Sequence, residues 1–184
     1  MRWERLFADL EAQLEAGAAA ELEAEVAERT RGEAAALRLV DRARPAQGRP
    51  VRVTVAGYGE LDGALVDAAA EWLLVARPGL GEALVPWRGV MSIAGLGPDS
   101  AVPGSEGRVA ARLRVTTALR AIARDRSPVT LRLRDGSGLT GTIDRVGADF
   151  VELAEHDLAE PRRGSNVSRR LVVPVAALAV VLRA

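Results

Sequence analysis

The chain has no cysteine, no lysine and a single histidine, His156. Without cysteine there is no disulfide, no thiolate metal ligand and no cysteine nucleophile. The histidine stands in the charged stretch Glu155-His156-Asp157 with no second ligand of its kind. It reads as a solvated loop residue rather than a metal ligand or acid–base group. The GxSxG, P-loop and HExxH spacings are also missing. The expectation is a protein that is not an enzyme, with no catalytic, cofactor-binding or metal-binding residues. Aromatics make up only 3% of the chain, so a core must be built from Leu, Val, Ile and Ala. No apolar run approaches the roughly 18 residues of a membrane span. The start, MRWERLFADLEAQLEA, is too charged for a signal peptide. The apolar LVVPVAALAVVL near the other end carries Pro174 and reads as a pair of buried strands. A cytoplasmic protein without membrane contact is expected.

What is present is the composition of a globular protein, 48% hydrophobic and 27% charged over 184 residues, enough for one ordinary domain or two small ones. All 25 basic residues are arginine, the usage expected of G+C-rich codons, so arginine content alone is not evidence of phosphate binding. Net charge is zero but unevenly spread. Residues 1–30 carry eight acidic residues against three arginines, −5, and residues 108–184 carry eight against fourteen, +6. An acidic arm and a basic C-terminal half can steer association.

Trp3, Phe7, Leu10, Leu14, Ala18, Leu22 and Val26 recur every three or four residues, the apolar stripe of a helix. That stripe must be buried, either on the chain's own strands or on a second chain. Trp3, Phe7, Leu10 and Leu14 are the candidate oligomer contacts. Thr30-Arg31-Gly32-Glu33 has the capping-box pattern and predicts a second helix from Arg31 to about Arg44. A single continuous helix is the alternative.

From Pro50 the period becomes two. Val51, Val53 and Val55 alternate with Arg52 and Thr54, as in a half-buried strand. Gly57-Tyr58-Gly59 supplies a turn, and Leu61, Gly63 and Leu65 alternate along the next strand. A third strand begins at Trp72. Leu84–Ile93 supplies the fourth and fifth. The run from Gly97 to Gly107 is a linker.

The same pattern then returns. Pro50–Ala76 aligns with Pro128–Ala154 without a gap, setting Val51 on Val129, Leu61 on Leu139, Gly63 on Gly141, Leu65 on Ile143 and Trp72 on Phe150. Leu84-Val85-Pro86 matches Val172-Val173-Pro174 once ten extra residues are allowed. Residues 36–40 resemble residues 118–122. The chain is an internal duplication of a helix followed by five short strands.

A helix followed by strands with a central hydrophobic-x-Gly-x-hydrophobic signature resembles the Sm-like (LSm/Hfq-like) family. The resemblance covers about residues 33–96 and 113–183. It implies an α+β, mainly β fold of two tandem Sm-like (SH3-like) five-stranded barrels, each preceded by a helix. An N-terminal amphipathic helical arm completes it. The parts are the arm, 1–30, a first helix-plus-barrel repeat, 31–96, a linker, 97–111, and a second repeat, 112–184. The family grips a uridine base with an Asp and an Asn after the strand-two glycine. Those positions hold Ala69 and Leu73 in the first copy and Gly147 and Val151 in the second, so the usual base pocket is not kept. The MRWE start also resembles that of a family widespread in high-G+C bacteria, a resemblance that carries no activity with it.

Two functional readings remain, with a small-molecule enzyme a weak third. The first is a non-enzymatic assembly or interaction module, a homo-oligomer or the binder of another protein, joined through open strand edges. The second is an RNA-binding regulator. Its candidate contacts are Arg112, Arg114, Arg120 and Arg124 around the second helix, Arg162, Arg163, Arg169 and Arg170 in the inserted loop, and Tyr58 as a stacking residue. On the RNA reading, affinity falls steeply with salt. A filter-binding series should then lose all binding when Arg162, Arg163, Arg169 and Arg170 are replaced together.

Overall fold

The computed structural model describes residues 2–105, 113–158 and 163–183. The chain divides into two units, Met1–Arg38 and Leu39–Ala184. The first is one helix, α1 (Arg2–Ala36). It runs straight through the expected capping box. Thr30 does not cap a new helix; its hydroxyl donates back to the Val26 carbonyl at 2.8 Å, the bond a mid-helix threonine makes. Exposed i,i+4 and i,i+3 pairs, Arg29 with Glu33 and Arg31 with Glu28, line the same stretch. Of the expected second helix only a short one remains, α2 (Leu39–Ala43), followed by a 3-10 turn at Arg44–Ala46.

The second unit is built on ten strands. The first five are β1 (Pro50–Val55), β2 (Gly59–Ala68), β3 (Trp72–Arg77), β4 (Gly81–Pro86) and β5 (Val90–Ala94). A helix, α3 (Val115–Asp125), precedes β6 (Pro128–Leu133), β7 (Gly138–Val146), β8 (Phe150–Glu155), β9 (Arg169–Pro174) and β10 (Leu178–Arg183). All pair antiparallel in one sheet of order β5-β1-β2-β3-β4-β10-β6-β7-β8-β9. Alternation sets the faces as expected: Val51, Val53 and Val55 are buried and Arg52 is exposed.

The two closed five-stranded barrels that the resemblance implied are not formed. Closing a barrel would require β4 to pair with β5, and β9 with β10. Instead β4 pairs with β10, the last strand of the other half, and β5 and β9 are left as the open edges. The chain is therefore one open ten-stranded sheet.

Within that sheet the halves repeat one another residue for residue. Val51 faces Gly63, and Val129 faces Gly141. A bulge falls between Leu65 and Asp67 in one half and at the matching place, between Ile143 and Arg145, in the other. Pro86 and Pro174 each start a 3-10 turn into the next strand, where proline's fixed φ suits the turn. The central glycines are needed for space. A Cβ on Gly63 would lie 2.3 Å from the Ala76 carbonyl oxygen, and one on Gly141 2.0 Å from that of Ala154.

The core lies in two clusters that exchange residues. The first, centred on Val53, Leu61, Leu73 and Val85, takes Ala179 and Val180 from β10. The second, centred on Leu131, Ile143, Leu153 and Leu178, takes Trp72 from β3 and Leu84 from β4. It is roofed by α3 through Val115 and Leu119, four residues apart on one face. The α3 N-terminus has no cap of its own; the Glu71 carboxylate, from the first half, accepts from the Val115 N–H at 3.0 Å. Replacing Gly141 by alanine forces the β7–β8 backbones apart. It should cost about 1–3 kcal/mol and lower Tm by about 2–10 °C, read by thermal circular dichroism, with Gly164→Ala unchanged because its Cβ meets open space.

Candidate functional site

The sheet edges are the first candidate, because the duplication supplies an internal control. At the junction of the halves, Leu84 on β4 is 4% exposed and Ala179 on β10 is fully buried. Their repeat equivalents lie on the open edges: Val172 on β9 is 67% exposed and Met91 on β5 is 69% exposed. Trp72 is buried beneath α3, while Phe150, its equivalent beside β9, is only half-buried. Of the two aligned aromatics, only Trp72 is fully part of a core. An unpaired strand edge carrying exposed apolar side chains tends to find a partner strand.

The arginines are dispersed. Arg114 lies at the N-terminal end of α3, and Arg120 and Arg124 follow one turn apart along it. Arg120 donates to the Gly147 carbonyl at 2.9 Å. Arg120 and Arg124 border a groove of about 700 Å3 between α3 and β7, with Arg126 and Arg145. In the segment leading into β9, Arg163 and Arg170 are exposed, and Arg169 is spent on a two-pronged ion pair with Glu155. Arg112 and Arg162 lie outside the described residues. Of the expected contacts, Arg120 and Arg124 share a groove, which the described loop arginines do not line.

Tyr58 is half-buried and packs on the first core cluster. Its ring serves packing rather than an exposed stacking platform. Trp3, Phe7, Leu10 and Leu14 are all exposed along α1. At the positions where the resemblance would put a base pocket, Ala69, Leu73 and Val151 are buried apolar residues.

His156 departs most from expectation. It is not a solvated loop residue but 4% exposed. Its Nδ1 lies 2.7 Å from the Asp157 carbonyl oxygen and so must carry the proton that it donates. Nε2 lies 2.8 Å from the Thr142 hydroxyl, within hydrogen-bond distance. Both ring nitrogens are occupied, which gives the side chain a structural task. Among the described residues no group of three or more histidine or acidic side chains is placed to hold a metal ion. No described helix is long and apolar enough to cross a membrane.

Sequence reasoning missed Met91, Val172 and Arg145. The first two were within its reach, since Met91 aligns with Ala179 and Val172 with Leu84. What set them apart was edge position, which alignment does not carry.

The Arg169 guanidinium, with help from the Ser168 hydroxyl, holds the Glu155 carboxyl below its ordinary value of 4.5, against the opposing effect of burial. A depressed acid stabilises the fold above its unfolded value and loses that contribution as pH falls through the folded one. Arg169 is largely exposed, so solvent screens the pair and its contribution is small. In a carbon-13 NMR titration, Arg169→Gln should move the Glu155 midpoint up toward the ordinary value. Comparison with known proteins finds no family model that matches the chain, and no curated protein or solved structure similar to it.

Proposed function

We propose that the chain is a non-enzymatic assembly module that joins copies of itself edge to edge, β9 of one chain on β5 of the next. One observation carries this reading: the residues buried where β4 meets β10 have exposed equivalents on the two free edges. The internal pairings are Val181 with Leu84 and Leu182 with Ala83. Transferred through the repeat, they become Ile93 of one chain with Val172 of the next, and Ala94 with Leu171. Covering Val172 and Met91 as fully as their equivalents is worth about 1.5–3 kcal/mol for each such side chain.

The interface is heterologous, because β5 and β9 are different surfaces. Such contacts propagate until they close, and closure gives a small ring. The amphipathic face of α1 adds a second contact surface to the assembly.

Light-scattering mass across a size-exclusion peak should give a discrete oligomer of the full chain, free of nucleic acid by its 260/280 nm absorbance ratio. Val172→Glu with Met91→Glu should reduce it to the monomer mass while circular dichroism at about 25 °C still shows the folded sheet, with Tm lowered only by the loss of association. Because the chain has no cysteine, Ile93→Cys combined with Val172→Cys should give a disulfide ladder on oxidation that neither single variant gives. A wild-type monomer at tens of micromolar, or a ladder-free double variant, would overturn the proposal.

A further inference from the structure

The groove between α3 and β7 has no part in edge pairing, and its chemistry is of one kind. It encloses about 700 Å3 and is bordered by Arg120, Arg124, Arg126 and Arg145, with Thr117 on its helical wall and Asp144 as its one carboxylate. Arg145 is ion-paired with Glu152 on the neighbouring strand. Four guanidiniums against Asp144 and Glu152 leave two positive charges uncompensated. Among the described residues, the side chains of Arg124 and Arg126 make no hydrogen bond or ion pair.

The placement of these two arginines is costly to the fold. Arg120 and Arg124 stack like charges one turn apart on a single helical face, which disfavours the helix. Arg126, at the end of α3, has φ of 51° and is the only described residue other than glycine with positive φ. That left-handed position is where a helix end ordinarily places glycine. Departures of this kind collect where a side chain is needed for binding.

From this we infer that the α3–β7 groove is a binding site for a phosphate monoester, held by the forks of Arg124 and Arg126 with Arg120 beside them. The charge is the first argument: a monoester carries between −1.5 and −2 at neutral pH, matching the two uncompensated positive charges. The donor type is the second, since the guanidinium fork suits two phosphate oxygens at once. The size is the third. A groove of this volume falls within the range of small-molecule sites, roughly 300–1,000 Å3, and exceeds what the anion alone needs. The phosphoryl group can come from inorganic phosphate or from a nucleotide-sized ester, and the two are told apart by affinity.

The test is isothermal titration calorimetry on the full chain with AMP, inorganic phosphate and adenosine. Both phosphates should bind and adenosine should not. Tighter binding of AMP identifies an ester whose organic body occupies the groove; equal binding identifies the free anion. Arg124→Gln and Arg126→Gly should each weaken binding about tenfold, the loss of one charge-assisted contact. Arg114→Gln, on the same helix but away from the groove, should not. Arg126→Gly places the preferred residue at the helix end, so its Tm should hold or rise, and weaker binding cannot then be ascribed to unfolding. The inference is overturned by silence from both phosphates at millimolar concentration, or by an equal loss in Arg114→Gln. Tighter binding of a single-stranded oligonucleotide without a terminal phosphate overturns it too, since the arginines would then serve diesters of nucleic acid. Light scattering on the same samples keeps the outcome separate from that of edge pairing.

Discussion

The antiparallel pairing of β4 with β10 is the constraint on which the second unit depends. Only two residue pairs define its register, Leu84 with Val181 and Ala83 with Leu182, yet neither core is complete without it. The first cluster takes Ala179 and Val180 from the far half, and the second takes Trp72 and Leu84. Glu71 strengthens the join by capping α3, a helix of the opposite half. A helix end left open there would expose unpaired N–H groups beside a buried surface. The halves are thus two copies of one pattern, but they do not form two independent folds.

Duplication also explains how equal sequences meet unequal environments. Leu84 and Val172 occupy the same register against their neighbours, β3 and β8, and differ only in what lies beyond them. One faces β10 and the other faces solvent. Ala179 and Met91 differ in the same way. Burial here is set by the order of strands in the sheet, a property of the whole assembly and not of the strand. The small alanine fits where backbones approach closely, and the long, adaptable methionine stands where a partner of less fixed shape can be met.

The strands, their faces and the repeat were legible in the residues, because a period of two reports which side of a strand is apolar. Even the paired bulges follow from the gap-free alignment. Closure was not legible. Alternation at Val51, Val53 and Val55 says which face is buried and nothing about which strand lies alongside, so an open sheet and two barrels share one pattern. The capping box at Thr30 misled for a local reason: with good helix formers on both sides, the hydroxyl returned to the Val26 carbonyl and the helix continued. His156 misled for a distant one. Its charged sequence neighbours suggest solvent, but the ring is buried against Thr142, a strand away, whose hydroxyl pairs with its Nε2. The candidate edge residues needed the strand order, and the groove needed α3 set against β7. Neither relation is written in any short stretch of sequence.

The exchange of core residues through β10 has a consequence for how the chain is made. Synthesis proceeds from the N-terminus, and domains commonly fold as they emerge. Here the first half leaves the ribosome with the outer edge of β4 unpaired, and it stays so until β10 follows. Contacts so far apart in sequence close slowly. During that interval the nascent chain presents a bare apolar edge of the kind that neighbouring nascent chains on one messenger could engage. Strand β10 therefore acts as a seal on the first half, and losing it would harm the packing of β1–β5 as much as that of β6–β9.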